Sequence, residues 1–226
     1  MTKYITSLAA LGIISILNFA HAQNLPTDED FSDIENLPGW IFSNQSSPLG
    51  ETSWFQGNNL LIQAQDGESN SFIAANYRNT ADSEEGESTI CNYLIMPNLG
   101  DLATVSFYTR SRIAANNFNI YPDRLYLVYS PTGEINTGNC TDDFGDFTET
   151  LLVINPDLTQ ETSSPEGYPV NDWEQFSSEI NGNGRVAFVY YVEDAGYFGA
   201  NSNYIGIDSV EWTLTPILQT IFNVFK

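Results

Sequence analysis

The chain has 226 residues, with 29 Asp and Glu against 7 Lys and Arg and a formal net charge of −22. That balance argues against nucleic acid, whose binding rests on Lys and Arg displacing counterions, and against anionic lipid surfaces; it favours divalent cations or no charged partner at all. A hydrophobic content of 42% with 13% aromatics is enough for a packed core, and the length suits one domain.

Residues 1–22 read as a secretory leader. Lys3 supplies the positive start, Leu8 to Phe19 the apolar run, and Ala20-His21-Ala22 the small-x-small cleavage site. The run is short for a membrane span; a retained N-terminal anchor is the alternative. Cleavage before Gln23 removes His21, the only histidine, and leaves Lys226 as the only lysine. Serine and cysteine mechanisms that need an imidazole base, and His-ligated zinc, are thereby excluded. Cys91 and Cys140 remain. Two cysteines in an exported chain suggest one disulfide, two free thiols being the rival.

Residues 23–215 carry a strong β signal and almost no helical one. Predicted strands are Leu60–Gln65, Ser71–Tyr77, Asn92–Met96, Ala103–Ile113, Arg124–Ser130, Thr150–Asn155, Trp173–Ile180, Arg185–Glu193 and Tyr204–Thr215. Gly, Pro, Asn and Asp bound most of these runs. The face of the last strand shifts near Asp208-Ser209, as at a β-bulge. Trp40, Trp54, Tyr93, Trp173 and Trp212 sit in apolar patterns suited to a core. Three loops are long: Arg78–Ile90, with Asp82, Glu84, Glu85 and Glu87; Pro131–Phe147, with Asp142, Asp143 and Asp146; and Pro156–Asp172. Pro216–Lys226 is an apolar tail, read as a terminal element packed on the domain or as a self-association or sorting segment. Short strands joined by polar loops imply an all-β fold, a jelly-roll β-sandwich of about nine antiparallel strands.

Several segments, taken in order, resemble the choice-of-anchor J domain, itself similar to the cleaved-adhesin and MAM-like jelly rolls of bacterial surface proteins. Phe31 followed by Leu37-Pro38-Gly39-Trp40 resembles the family's opening. Trp54 stands where a second early Trp is common. Ser71–Tyr77, Asn92-Tyr93-Leu94-Ile95-Met96-Pro97, Val105-Ser106-Phe107-Tyr108, Leu125–Ser130, Trp173, Val186-Ala187-Phe188 and Tyr204–Val210 are similar to its successive later segments. Met96 and Ser209 depart from the family pattern, which has Ser and a second acid there. The resemblance implies a jelly roll, a binding or adhesion role, and a structural calcium held by acids near the chain ends.

Candidate sites follow. Asp30, Asp33 and Glu35 with Asp208 are the calcium candidates; Ca²⁺ takes 6–8 oxygens, carboxylates and carbonyls included. The alternative is a solvated N-terminal run with Asp208 at the bulge. Asp142, Asp143, Asp146 and Glu149 lack EF-hand spacing and read as a solvated loop. Tyr197, Phe198 and Tyr204 lie in or beside the Gly- and Asn-rich segment Ala195–Asn203 and are candidates to stack on sugar rings, or to cover an end of the sandwich. With 29 acids some close carboxylate pair is expected by chance, so no motif selects a hydrolase site. The expectation is a secreted or surface-exposed, non-catalytic module that binds an extracellular glycan or protein, with periplasmic residence and self-association through the tail as alternatives.

Overall fold

The computed structural model describes residues 27–83, 88–112 and 120–215. The leader at 1–22 with His21, the tail at 216–226, and Glu84, Glu85 and Glu87 lie outside them. The described residues form β1 (Asp28–Glu29), β2 (Ile41–Asn44), β3 (Phe55–Gln56), β4 (Ile73–Asn76), β5 (Ser88–Ile95), β6 (Leu102–Ser111), β7 (Leu125–Ser130), β8 (Glu149–Ile154), β9 (Glu174–Gly182), β10 (Arg185–Ala195) and β11 (Tyr204–Leu214).

Two antiparallel sheets stack face to face. One has the order β3-β4-β11-β6-β9, with β1 added to β11; the other runs β2-β5-β10-β7-β8. The pairs nest: β4 with β11, β5 with β10, β6 with β9 and β7 with β8. A ribbon of four such nested pairs rolled across two sheets is a jelly roll. Eight of the nine predicted strands are present. Leu60–Gln65 is a loop instead, and the short strands β1, β2 and β3 are additional. The bulge lies where the face shift placed it, with the β11–β6 register slipping between Asp208 and Glu211 and Ser209 at φ 48°.

The packing explains why β10 carries apolar residues on both faces, Val186, Phe188 and Tyr190 on one and Ala187, Val189 and Tyr191 on the other. Between the sheets lies the main core, in which Phe107 meets Phe188 edge-on at 4.9 Å and is joined by Leu127, Val186, Ile205 and Trp212. Burying each such Phe stabilises the fold by about 1.5–3 kcal/mol. The outer face of the β5–β10 sheet is covered as well, by the 131–148 segment. Phe147 packs on Tyr93, and Phe144 on Tyr126 and Tyr191. The Cys91–Cys140 disulfide fastens this cover, with Cα atoms 5.8 Å apart. The outer face of the β4–β11 sheet is covered by the 57–70 loop, whose Ile62 and Ala64 pack with Phe72, Tyr204 and Trp173. Leu60–Gln65 is thus apolar because it caps a sheet, not because it pairs within one. Gly206 of β11 lets the two layers close, since a Cβ there would sit 2.7 Å from the Trp173 ring.

Candidate functional site

Nested pairing brings several loops to one end of the roll. Tyr204 is paired with Asn76, Ile205 with Ser111, and Ala195 with Ser88. The segments after β4, β6 and β10 therefore emerge side by side. The β10–β11 loop, 196–203, is the most prominent of them. It is held in a sharp fold by three residues at positive φ: Asp194 at 46°, Gly196 at 95° and Ser202 at 72°. Gly196 tolerates this because it has no Cβ.

The loop is pinned from several sides. Asn201 donates its backbone N–H to the Asp194 carbonyl at 2.9 Å and its side-chain amide to the Glu193 carbonyl at 2.9 Å. Gly196 N–H donates to Ser202 Oγ. From the β4–β5 loop, one Asp82 carboxylate oxygen accepts the N–H of Tyr197 at 2.8 Å and of Phe198 at 3.4 Å. With its backbone so held, the loop presents two rings outward. Tyr197 is 68% exposed and Phe198 83%. Their centroids are 5.0 Å apart at 88°, and Tyr77 stands 6.1 Å from Tyr197.

Clefts flank the Tyr77–Tyr197 wall on both sides. One, of about 330 Å³, is lined by Glu51, Tyr77, Arg78, Thr80, Ala81, Asp82 and Tyr197. Arg78 forms an exposed ion pair with Glu51 there, at 3.1 Å. The other, of about 430 Å³, is lined by Tyr77, Arg112, Tyr121, Gly196, Tyr197, Ser202 and Asn203.

Beneath the loop lies Asp123, wholly buried. It accepts hydrogen bonds from Ser111 Oγ, from the Tyr190 hydroxyl at 2.5 Å and from the Asn203 N–H at 2.8 Å. Desolvation pushes its carboxyl up to about 6, against the pull of those three donors. Asp123 therefore ties the floor of the loop to the core, and no cleft described above reaches it.

Tyr197 and Phe198 are thus exposed, as the sequence led one to expect. Tyr204 is not: it is 3% exposed, its ring faces Phe55 under the 57–70 loop, and its hydroxyl accepts the Asn58 N–H. The exposure expected of Tyr204 fails because strand alternation turns it onto a covered sheet face. Tyr77, Asp82, Arg112 and Tyr121 were missed as site residues. Only Asp82 carried a signal, as an acid in a long loop.

The calcium candidates do not converge. Exposed Asp30 accepts the Ser32 N–H and exposed Asp33 the Glu35 N–H, each capping a local turn, and Glu35 is exposed as well. Asp208 is buried and already accepts the N–H groups of Gln65 at 2.7 Å, Asp66 at 3.4 Å and Ser209 at 2.6 Å. Burial raises its carboxyl to about 6 despite these bonds. Near the chain start, the carbonyls of Phe31, Asn70 and Phe72 converge on the Gln56 side-chain amide nitrogen, at 2.8, 2.7 and 3.3 Å. An amide donor occupies the meeting point of these oxygens. No group of three or more His, Cys, Asp or Glu suited to a metal occurs among the described residues. The named acids therefore do not fit one calcium ion as a set. The second acidic group is likewise engaged with its own loop: Asp142 accepts from Asn139, Asp143 from Gly145 N–H and Asp146 from Asn136 N–H.

No family model matches the chain, and no curated protein matches it in sequence. Solved structures do share its fold. The K1 cleaved adhesin domain of Lys-gingipain from Porphyromonas gingivalis W83 superposes with a TM-score of 0.54 at 22% identity, over 84% of this chain and 98% of that one. The K2 cleaved adhesin domain of Lys-gingipain gives 0.54 at 16% identity, over 83% and 97%. The K3 domain from the same organism gives 0.51 at 21% identity, over 83% and 98%.

Proposed function

We propose that this chain, which has the fold of the cleaved adhesin domains, is an extracellular recognition module without catalytic activity, and that it binds carbohydrate by stacking sugar rings on Tyr197 and Phe198. The observation that carries the reading is the exposure of those two rings on a loop whose backbone is already pinned by Asp82. An apolar ring left in water on a rigid support costs little ordering entropy when a ligand covers it. Polar partners for hydroxyl groups line both flanking clefts, with exposed Glu51 and Arg78 on one side and half-buried Asn203 on the other.

The disulfide supports an oxidising compartment, and hence export. The absence of catalysis is supported by the two carboxyls raised to about 6. Asp123 and Asp208 are both buried against their own hydrogen-bond donors, and neither lines a described cleft. A general acid must reach its substrate.

The test is a glycan array probed with the mature protein and with the Tyr197→Ala/Phe198→Ala double variant. The reading expects glycan signals that the double variant loses while it stays folded. Signals that survive the double substitution, or an array blank for the wild type, would overturn it.

A further inference from the structure

We infer that the Gln56 side-chain amide stands in for a structural cation, holding the start of the chain to the sheet through an oxygen cage that one shorter, charged side chain would convert into a calcium site. The inference is independent of the carbohydrate reading above.

The cage is the first argument. Gln56 ends the two-residue strand β3 and pairs with Ile73 of β4. Phe55 packs under the 57–70 loop, so strand alternation sends Gln56 to the other side. There its Nε2 donates to the carbonyls of Phe31, Asn70 and Phe72, at 2.8, 2.7 and 3.3 Å. Its Oε1 accepts the Ile34 N–H at 3.1 Å. That bond settles which way round the amide lies, because only its nitrogen can donate. One side chain thus joins residues 31–34 to residues 70–72.

The balance of donors and acceptors is the second argument. An amide nitrogen carries two N–H groups, and three carbonyl oxygens face it. Asn70 and Phe72 carbonyls also accept the N–H groups of Phe72 and Gly57, at 2.8 and 2.7 Å, so neither depends on Gln56 for its only partner. Oxygen is in excess at the meeting point. Such an excess suits a point charge without fixed bond directions, and Ca²⁺ accepts backbone carbonyls among its ligands.

The backbone at Phe31 is the third argument. Phe31 has φ 51°, a conformation uncommon for a bulky residue. Its ring is fully buried and meets Trp40 edge-on at 5.2 Å, and its N–H is held by Glu29 Oε1 at 2.9 Å. These contacts aim the Phe31 carbonyl at the cage without help from Gln56, and they keep the Glu29 carboxylate within one residue of it. The amide meets the oxygens with N–H dipoles and avoids the cost of desolvating an ion. This agrees with the failure of Asp30, Asp33, Glu35 and Asp208 to converge.

Two variants test the inference. Gln56→Asp withdraws the side chain by one C–C bond, about 1.5 Å, and replaces the donor with a carboxylate, which opens the cage to a cation. Gln56→Met removes the donor and supplies no charge. Thermal unfolding of the mature wild type and both variants is compared in EDTA and in millimolar calcium. Wild type should melt at the same temperature in both. Each variant should melt several degrees lower in EDTA, and Gln56→Asp should regain most of that loss in calcium while Gln56→Met regains none. A wild type that melts lower in EDTA, or a Gln56→Asp protein that calcium does not raise, would overturn the inference. A measurement on wild type alone covers the case in which a variant does not fold: the Gln56 side-chain amide protons should exchange slowly with water by NMR, and exchange as fast as that of free glutamine would equally overturn it.

Discussion

Replacing Asp123 with Asn should remove a defined part of the pH dependence of folding. Asp123 is 1% exposed and its carboxyl is raised to about 6, against an unfolded value of about 3.9. The folded state then holds more protons than the unfolded one between those values, so stability is present in full below about pH 4 and is lost as pH rises through 6. The whole shift is about two units, or roughly 3 kcal/mol at 1.36 kcal/mol per unit. Between pH 5 and pH 7.5, a range that stays above the acidic isoelectric region, linkage gives about 1.4 kcal/mol. For a domain of this size that is roughly 3–5 °C in melting temperature. Asn is nearly isosteric and uncharged, and its oxygen still accepts the Asn203 N–H. The difference between wild type and Asp123→Asn should therefore change by about 1.4 kcal/mol in favour of the variant on going from pH 5 to pH 7.5. Urea unfolding at both pH values measures it, and the parallel titration of Asp208 cancels because both proteins share it. If the variant loses the same stability at each pH, burial is not what raises the carboxyl, and the account of the loop floor is wrong.

Further outcomes follow from individual contacts. Removing the Cys91–Cys140 disulfide, which closes 49 residues of sequence, should cost about 4 kcal/mol in the chain-entropy model, read by urea unfolding with and without reductant. Gly206→Val should cost about 1–3 kcal/mol by overpacking, because even a Cβ meets Trp173 at 2.7 Å and Phe72 at 3.0 Å; thermal unfolding checks it. Asp82→Ala should leave stability within about 1 kcal/mol, since the group is exposed, yet weaken glycan binding several-fold by freeing the Tyr197–Phe198 backbone; calorimetry separates the two effects. EDTA should leave the melting temperature unchanged, because Asp30 and Asp33 each cap a local turn and Asp208 is already engaged by the N–H groups of Gln65, Asp66 and Ser209; a fall of several degrees would show that a metal does hold the fold.

How much was readable in the sequence depends on what each residue's pattern reports. β6 and β11 were readable because one face alternates, and the bulge at Asp208-Ser209 showed as a break in that alternation. β10 carries apolar residues on both faces, Phe188 and Tyr190 on one and Ala187 and Val189 on the other, because one face meets the core and the other the disulfide-tied cover. Leu60–Gln65 failed as a strand because the apolar residues of a covering loop carry no mark of whether their backbone pairs. β1 and β3, at two residues each, are too short to show any period. At the site, Tyr197 and Phe198 stood out through their Gly- and Asn-rich surroundings. Tyr204, one residue beyond that segment, belongs to β11, and strand direction buries it. Arg112, Tyr121 and Tyr77 converge only through the nested pairing of β4, β6 and β11, which no local pattern encodes.

The most direct measurement of the central claim is a backbone amide NMR titration of the ¹⁵N-labelled mature protein with the strongest array ligand. Shifts should concentrate at Tyr77, Arg78, Asp82, Gly196, Tyr197, Phe198 and Asn203. The sheet covers at 131–148 and 57–70 should stay silent. Shifts centred on either cover, or on the opposite end around Asn181–Gly184, would contradict recognition by the aromatic loop.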